Sequence, residues 1–113
     1  MKLYEYQAKN LFSSAGIPIP KGECTDSLER AREIASNLGY PLVVKAQVLQ
    51  GGRGKAGLIR NVDVGEDLDR VVQELFQSPH RVHRILLEQA IRFEKEYYLS
   101  FTMDPKEAKA LLI

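Results

Sequence analysis

The sequence predicts an α+β protein made of two lobes. Three observations lead there: apolar residues recur at helical spacing in three stretches, runs rich in β-branched residues separate them, and Pro18 and Pro20 break the chain early. The predicted order is helix, helix, hairpin, helix, strand, hairpin.

Taken in turn, Tyr4, Ala8, Leu11, Phe12 and Ala15 share one helical face, and Gly16, Pro18 and Pro20 stop the helix, so the first element is a short amphipathic helix. Prolines fix φ and forbid helix continuation, which makes residues 16–22 an extended connector and puts a lobe boundary near residue 20. Asp26 with Glu29 reads as a capping pair for a second helix, with the stripe Leu28, Ala31, Ile34, Ala35 and Leu38 and a stop at Gly39 and Pro41. Residues 42–48 and 58–62 read as strands around a glycine-rich segment, a hairpin with a mobile tip. Asp63 with Glu66 repeats the capping pattern ahead of a third helix, whose buried face is Leu68, Val71, Val72, Leu75 and Phe76. Residues 85–90 return as strand. Residues 97–103 and 108–113 flank the turn pair Asp104-Pro105 as a second hairpin, in which Tyr97 and Tyr98 would face opposite ways. The last residues, Leu111-Leu112-Ile113, still read as strand, and a truncated piece of a longer chain is expected.

Composition narrows the function. Sixteen basic against fifteen acidic side chains leave a net charge of +1, so no whole-molecule field favours nucleic acid or an anionic membrane, and any anion site must be local. No apolar run is long enough to span a bilayer. The single cysteine, Cys24, has no partner for an internal disulfide, and a reducing, cytoplasmic setting is expected. His80 and His83 lack cysteines or carboxylates at metal spacing and read as surface histidines.

The chemistry concentrates in Gly51-Gly52-Arg53-Gly54-Lys55-Ala56-Gly57. Four glycines let backbone N–H groups approach an anion without Cβ obstruction, and two cations add charge. A dinucleotide fold would need a helix after the glycines, and a Walker loop would need lysine where Leu58 stands. What remains is a glycine-rich flap between two strands, suited to covering phosphates, or a merely flexible hairpin loop. Lys45 lies on the preceding strand, on the face shared by Val43 and Gln47. Its ammonium suits phosphate neutralisation, the alternative being an edge-strand lysine that deters aggregation. Glu88, after the apolar Ile85-Leu86-Leu87, and Glu96 are acceptors at strand ends, fit for the amino group and ribose hydroxyls of a nucleotide. Glu94 reads as a solvated charge.

These residues carry a resemblance. Leu3-Tyr4-Glu5-Tyr6-Gln7-Ala8-Lys9-Asn10-Leu11-Phe12 with Gly16-Ile17-Pro18 resembles the N-terminus of succinyl-CoA synthetase β subunits, and 43–48 with 51–57 resembles that family's strand and flap. Leu87-Glu88, Lys95-Glu96 and Tyr98-Leu99 continue it along essentially the whole chain. The resemblance implies an ATP-grasp fold, with residues 21–92 as the nucleotide-binding lobe and residues 1–20 and 93–113 as parts of an incomplete second lobe. It implies a ligase that couples ATP to the interconversion of succinate plus coenzyme A with succinyl-CoA through a phosphohistidine on a partner α subunit. By position, Lys45 and the backbone of Gly52, Arg53 and Gly54 would hold phosphates, Glu88 and Glu96 the base amino group and ribose, and Ile91 would offer backbone near the base. Ile91 stands where threonine is common in the family, and Pro20 resembles the branch that uses ATP rather than GTP. Mg2+ ligands, the coenzyme A site and the catalytic histidine would lie outside this chain. No catalytic or metal-binding residue is therefore expected here, nor turnover by these residues alone. The alternatives are a malate-CoA ligase, an ADP-forming acetyl-CoA synthetase or an ATP-citrate lyase sharing this lobe, and, more remotely, an RNA-binding glycine-arginine segment.

Overall fold

Leu42, Val44 and Ala46 point one way from their strand, Val43 and Lys45 the other, and this alternation organises the protein. The structure, a computed structural model, describes residues 1–112. Its elements are α1 (Glu5–Ser14), β1 (Gly22–Thr25), α2 (Leu28–Leu38), β2 (Leu42–Ala46), β3 (Ile59–Val62), a 3-10 turn (Gly65–Asp67), α3 (Leu68–Phe76), β4 (Ile85–Gln89), β5 (Phe101–Met103) and β6 (Ala110–Leu112). β1 to β4 form an antiparallel sheet in the order β1-β4-β2-β3, while β5 pairs with β6 in a separate sheet. The α+β class holds.

One sheet face carries the core. Leu42, Val44 and Ala46 of β2, Val62 of β3, and Ile85 and Leu87 of β4 pack with Ala31, Ile34 and Ala35 of α2 and Leu68, Val71, Val72 and Leu75 of α3. Both helices thus cover the same side, as their apolar stripes foretold. Full burial of each larger side chain contributes roughly 1.5–3 kcal/mol, so this layer supplies most of the driving force.

The opposite face bears Lys45, Leu86 and Glu88, and α1 docks on it. The helix exists where periodicity placed it, yet none of its residues is buried, and Leu11 and Phe12 stay 61% and 50% exposed. Its contact is polar, because the surface it meets is lined with charge.

Several boundaries differ from expectation. β1 begins at Gly22, the last residue of the stretch read as connector, and runs to Thr25 through residues that the sequence assigned to no element, since a four-residue edge strand needs only its ladder to β4 and carries little apolar signal. Gly22 is required there: a Cβ would lie 2.5 Å from the Leu87 carbonyl oxygen and 2.8 Å from Glu88 Cγ. The cap of α2 is Ser27, whose Oγ accepts from the Arg30 N–H at 3.1 Å, one residue after Asp26. Ahead of α3 the Asp63–Glu66 box is replaced by the 3-10 turn, closed by the Asp67 N–H donating to Val64 O. β2 stops at Ala46 because the Gln47 N–H turns to the Arg84 carbonyl oxygen at 2.9 Å. The strand read from residue 97 starts at Phe101, so Tyr97 and Tyr98 are not on opposite faces of a strand; both are exposed. The expected strand end at Ile113 lies outside the described residues.

Leu87 is fully buried at the centre of the sheet. Leu87→Ala should cost about 3 kcal/mol of unfolding free energy, read by urea titration. A loss below roughly 1 kcal/mol would place the core elsewhere.

Candidate functional site

Register brings the charges together. Lys45 pairs with Leu86 and Val43 with Glu88, so Lys45 and Glu88 are diagonal neighbours on the face away from the core. Lys45 Nζ lies 2.8 Å from Glu88 Oε1 and 2.9 Å from Glu5 Oε1, and Lys9 of α1 pairs with the other oxygen of Glu88. Arg53 closes the cluster: its Nη2 lies 2.6 Å from Glu5 Oε2, and its Nη1 donates to the Ala46 carbonyl oxygen at 3.1 Å. The Glu5 Oε2 contact is an ion pair without hydrogen-bond alignment, which leaves that buried oxygen with no hydrogen bond. Three cations against two carboxylates give the cluster one unit of positive charge, an attraction for anions confined to this face.

Burial alone would push the Glu5 carboxyl upward, but the Lys45 ammonium and Arg53 guanidinium outweigh it and hold the pKa at about 2, against an ordinary 4.5. For Lys45, burial would lower the pKa, but Glu88 and Glu5 overcome it and hold the ammonium above its ordinary value. Glu88 is 2% exposed.

The flap lies at the tip of the β2–β3 hairpin. Its turns are closed by the Ala56 N–H on Gly52 O, the Gly57 N–H on Gly54 O and the Leu58 N–H on Arg53 O. No acceptor among the described residues takes the N–H groups of Gly52, Arg53 or Gly54. Nothing lies within 4 Å of where a Cβ would stand at Gly52 or Gly54, and Gly52, at φ 71°, has a backbone that favours glycine. This donor set fits phosphate oxygens.

Beside the cluster opens a cleft of about 230 Å³, lined by Pro20, Val43, Lys45, Glu88, Ile91 and Phe93 among others. The structure thus brings Lys45, Glu88 and Ile91 to one cavity, with Gly52, Arg53 and Gly54 in the adjoining flap. Glu96 is not in that lining; it sits exposed in the segment before β5. His80 and His83 are exposed, and Cys24 is half-buried. Burial, foremost, raises the Cys24 thiol pKa. Among the described residues no helix is long and apolar enough to cross a membrane.

Sequence reasoning missed Glu5 and Lys9, which complete the cluster. Their signal was the i, i+4 spacing of opposite charges, a pattern ordinarily spent on a solvent-facing pair. It also missed Gln47, buried, whose Oε1 accepts from the Tyr6 N–H at 2.9 Å and ties α1 to the end of β2.

Comparison with known proteins follows the same lines. The family described as ATP-grasp domain matches residues 2–113. The chain is 45% identical over 113 residues to the ADP-forming sulfoacetate-CoA ligase subunit SauC of Bilophila wadsworthia, covering all of this chain and 30% of that protein. It is 44% identical over 123 aligned residues to the β subunit of ADP-forming succinate-CoA ligase of Aquifex aeolicus, covering all of this chain and 32% of that protein. It therefore spans about a third of the length of these relatives. Among solved structures, the acetyl-coenzyme A synthetase 1 of Ca. Korarchaeum cryptofilum superposes with a TM-score of 0.83 at 22% identity, over 98% of this chain and 52% of that one. The D-alanine-D-alanine ligase of Helicobacter pylori superposes with a TM-score of 0.70 at 21% identity, over 96% and 32%. At these identities the two structures speak for the fold.

The depressed pKa of Glu5 gives the network a pH signature. Its folded value lies below the unfolded one, so ionised Glu5 stabilises the fold above pH 4.5, and that contribution fades as pH falls from there through about 2. The melting temperature of the wild type should therefore fall more steeply than that of Glu5→Gln across this window, the gap between them closing toward the acid end. A gap that stays constant with pH would show that the pairing does not depend on charge.

Proposed function

The chain belongs to the ATP-grasp domain family, and from that premise we propose that it is the nucleotide-binding part of the β subunit of an ADP-forming acid-CoA ligase of the succinyl-CoA synthetase type. The observation that carries the reading is a cleft lined by Lys45, Glu88, Pro20 and Ile91, next to a flap whose Arg53 is linked to Lys45 through Glu5 and whose N–H groups at Gly52, Arg53 and Gly54 meet no acceptor among the described residues. The relatives named above, acting on succinate and on sulfoacetate, supply the reaction class.

In this reading ATP is the substrate of the cleft. Lys45 and the backbone of Gly52, Arg53 and Gly54 hold its phosphates, compact cation and oriented amides offsetting their charge. Glu88 and Glu96 accept from the base amino group and ribose, and Ile91 offers its backbone beside the base. Glu96 reaches the nucleotide only if its segment moves toward the cleft, which makes it the weakest member of the set. Pro20, in the cleft wall, goes with an adenine rather than a guanine base. Magnesium, bound by carboxylate and amide groups elsewhere in the enzyme, would neutralise the transferring phosphoryl group.

The phosphoryl group passes to a histidine of a partner α subunit, which also carries most of the coenzyme A site, and the acid is succinate or a comparable dianion. Residues 21–92 form the nucleotide lobe, supported by a sheet and two covering helices that fall wholly within them, and residues 1–20 and 93–113 go with the companion lobe. The enzyme works in the cytoplasm, and this part alone performs no turnover.

In the assembled ligase, Lys45→Met should lower nucleotide-dependent phosphorylation of the α subunit by roughly tenfold to a thousandfold, with an unchanged far-ultraviolet circular dichroism spectrum. Unaltered nucleotide affinity and rate in that variant would remove Lys45 from the site.

A further inference from the structure

We infer that Glu5 is a positioning residue for the nucleotide site: its carboxylate clamps the flap to the sheet by bridging Lys45 and Arg53. The inference rests on the nucleotide reading above and assigns a role to a residue that belongs to neither the flap nor the sheet.

Glu5 opens α1, and its two oxygens are divided between elements. Oε1 meets Lys45 of β2 at 2.9 Å, and Oε2 meets Arg53 of the flap at 2.6 Å. The helix itself is held in place by the Lys9–Glu88 pair and by the Tyr6 N–H on Gln47, so the clamp has a fixed base. Without it, the Arg53 side chain would keep only its bond to the Ala46 carbonyl oxygen, because the backbone hydrogen bonds of the flap close turns within residues 52–58.

The bridge does not consume the site. An ammonium carries more donors than the contacts to Glu5 and Glu88 use, and a guanidinium more than those to Glu5 and Ala46 use. Both cations can therefore serve phosphate oxygens with Glu5 in place. A carboxylate acting instead as a stand-in for phosphate would have to leave when the nucleotide arrives, and its removal would tighten binding. The two roles predict opposite signs.

The test combines hydrogen exchange of the 51–57 amides with calorimetric titration of Mg-ADP, on wild type, Glu5→Gln, Arg53→Gln, the double variant and Lys45→Met. Glu5→Gln should raise flap exchange by about tenfold while α2 and α3 keep their protection. Arg53→Gln should raise it to a similar degree, and the double variant should add nothing further, as expected of two partners in one contact. Mg-ADP affinity should weaken about tenfold in Glu5→Gln. Tighter Mg-ADP binding, or exchange increments that add in the double variant, would overturn the clamp. Affinity lost in Lys45→Met but unchanged in Glu5→Gln would overturn it too, leaving the nucleotide reading in place. Affinity indifferent to Lys45 would sink the nucleotide reading itself and the clamp's part in binding with it.

Discussion

Everything on the functional face depends on one buried carboxylate. Glu88 sits at 2% exposure on the central sheet, where an ionised group without partners would cost several kcal/mol. Lys9 and Lys45 supply the partners, and each brings something with it: Lys45 the strand that leads into the flap, Lys9 the helix that lies across the face. The helix in turn delivers Glu5. Remove the charge at Glu88 and α1 loses the strongest reason to dock, since it buries no side chain of its own.

The two faces of the sheet therefore do different work by different physics. One is apolar and close-packed under α2 and α3, and tolerates little change of volume. The other is polar, held by directional pairs, and leaves space beside them for a ligand. The charge cluster puts one excess positive charge on that face, on a chain whose net charge of +1 sets up no strong whole-molecule field.

How much of this the sequence disclosed follows the same division. The helices over the core were legible, because stripes such as Ala31, Ile34 and Ala35 or Val71, Val72 and Leu75 have no other use. The hairpin and its flap were legible through β-branched runs around glycines, and Lys45 and Glu88 through their place on strands. The edge strand β1 was not, since adjacent prolines and a mostly exposed pattern hide a segment defined only by its ladder. Nor were Glu5 and Lys9, because spacing alone cannot tell a pair that faces water from one that faces a buried carboxylate 79 residues away. Local patterns report local structure; the charge cluster is a product of tertiary register.

That dependence on register has a consequence for the order in which the molecule assembles. The β2–β3 hairpin, with its flap, joins residues close in sequence and can form early, before the rest of the chain has settled. The contacts that finish the cleft reach much further: 40 residues from Glu5 to Lys45 and 79 from Lys9 to Glu88. Closing such loops is slow and is repaid only once β4 has taken its place between β1 and β2. Helix α1 is made well before the strand that carries Glu88, so its pairing through Lys9 has to await a residue 79 positions further along the chain.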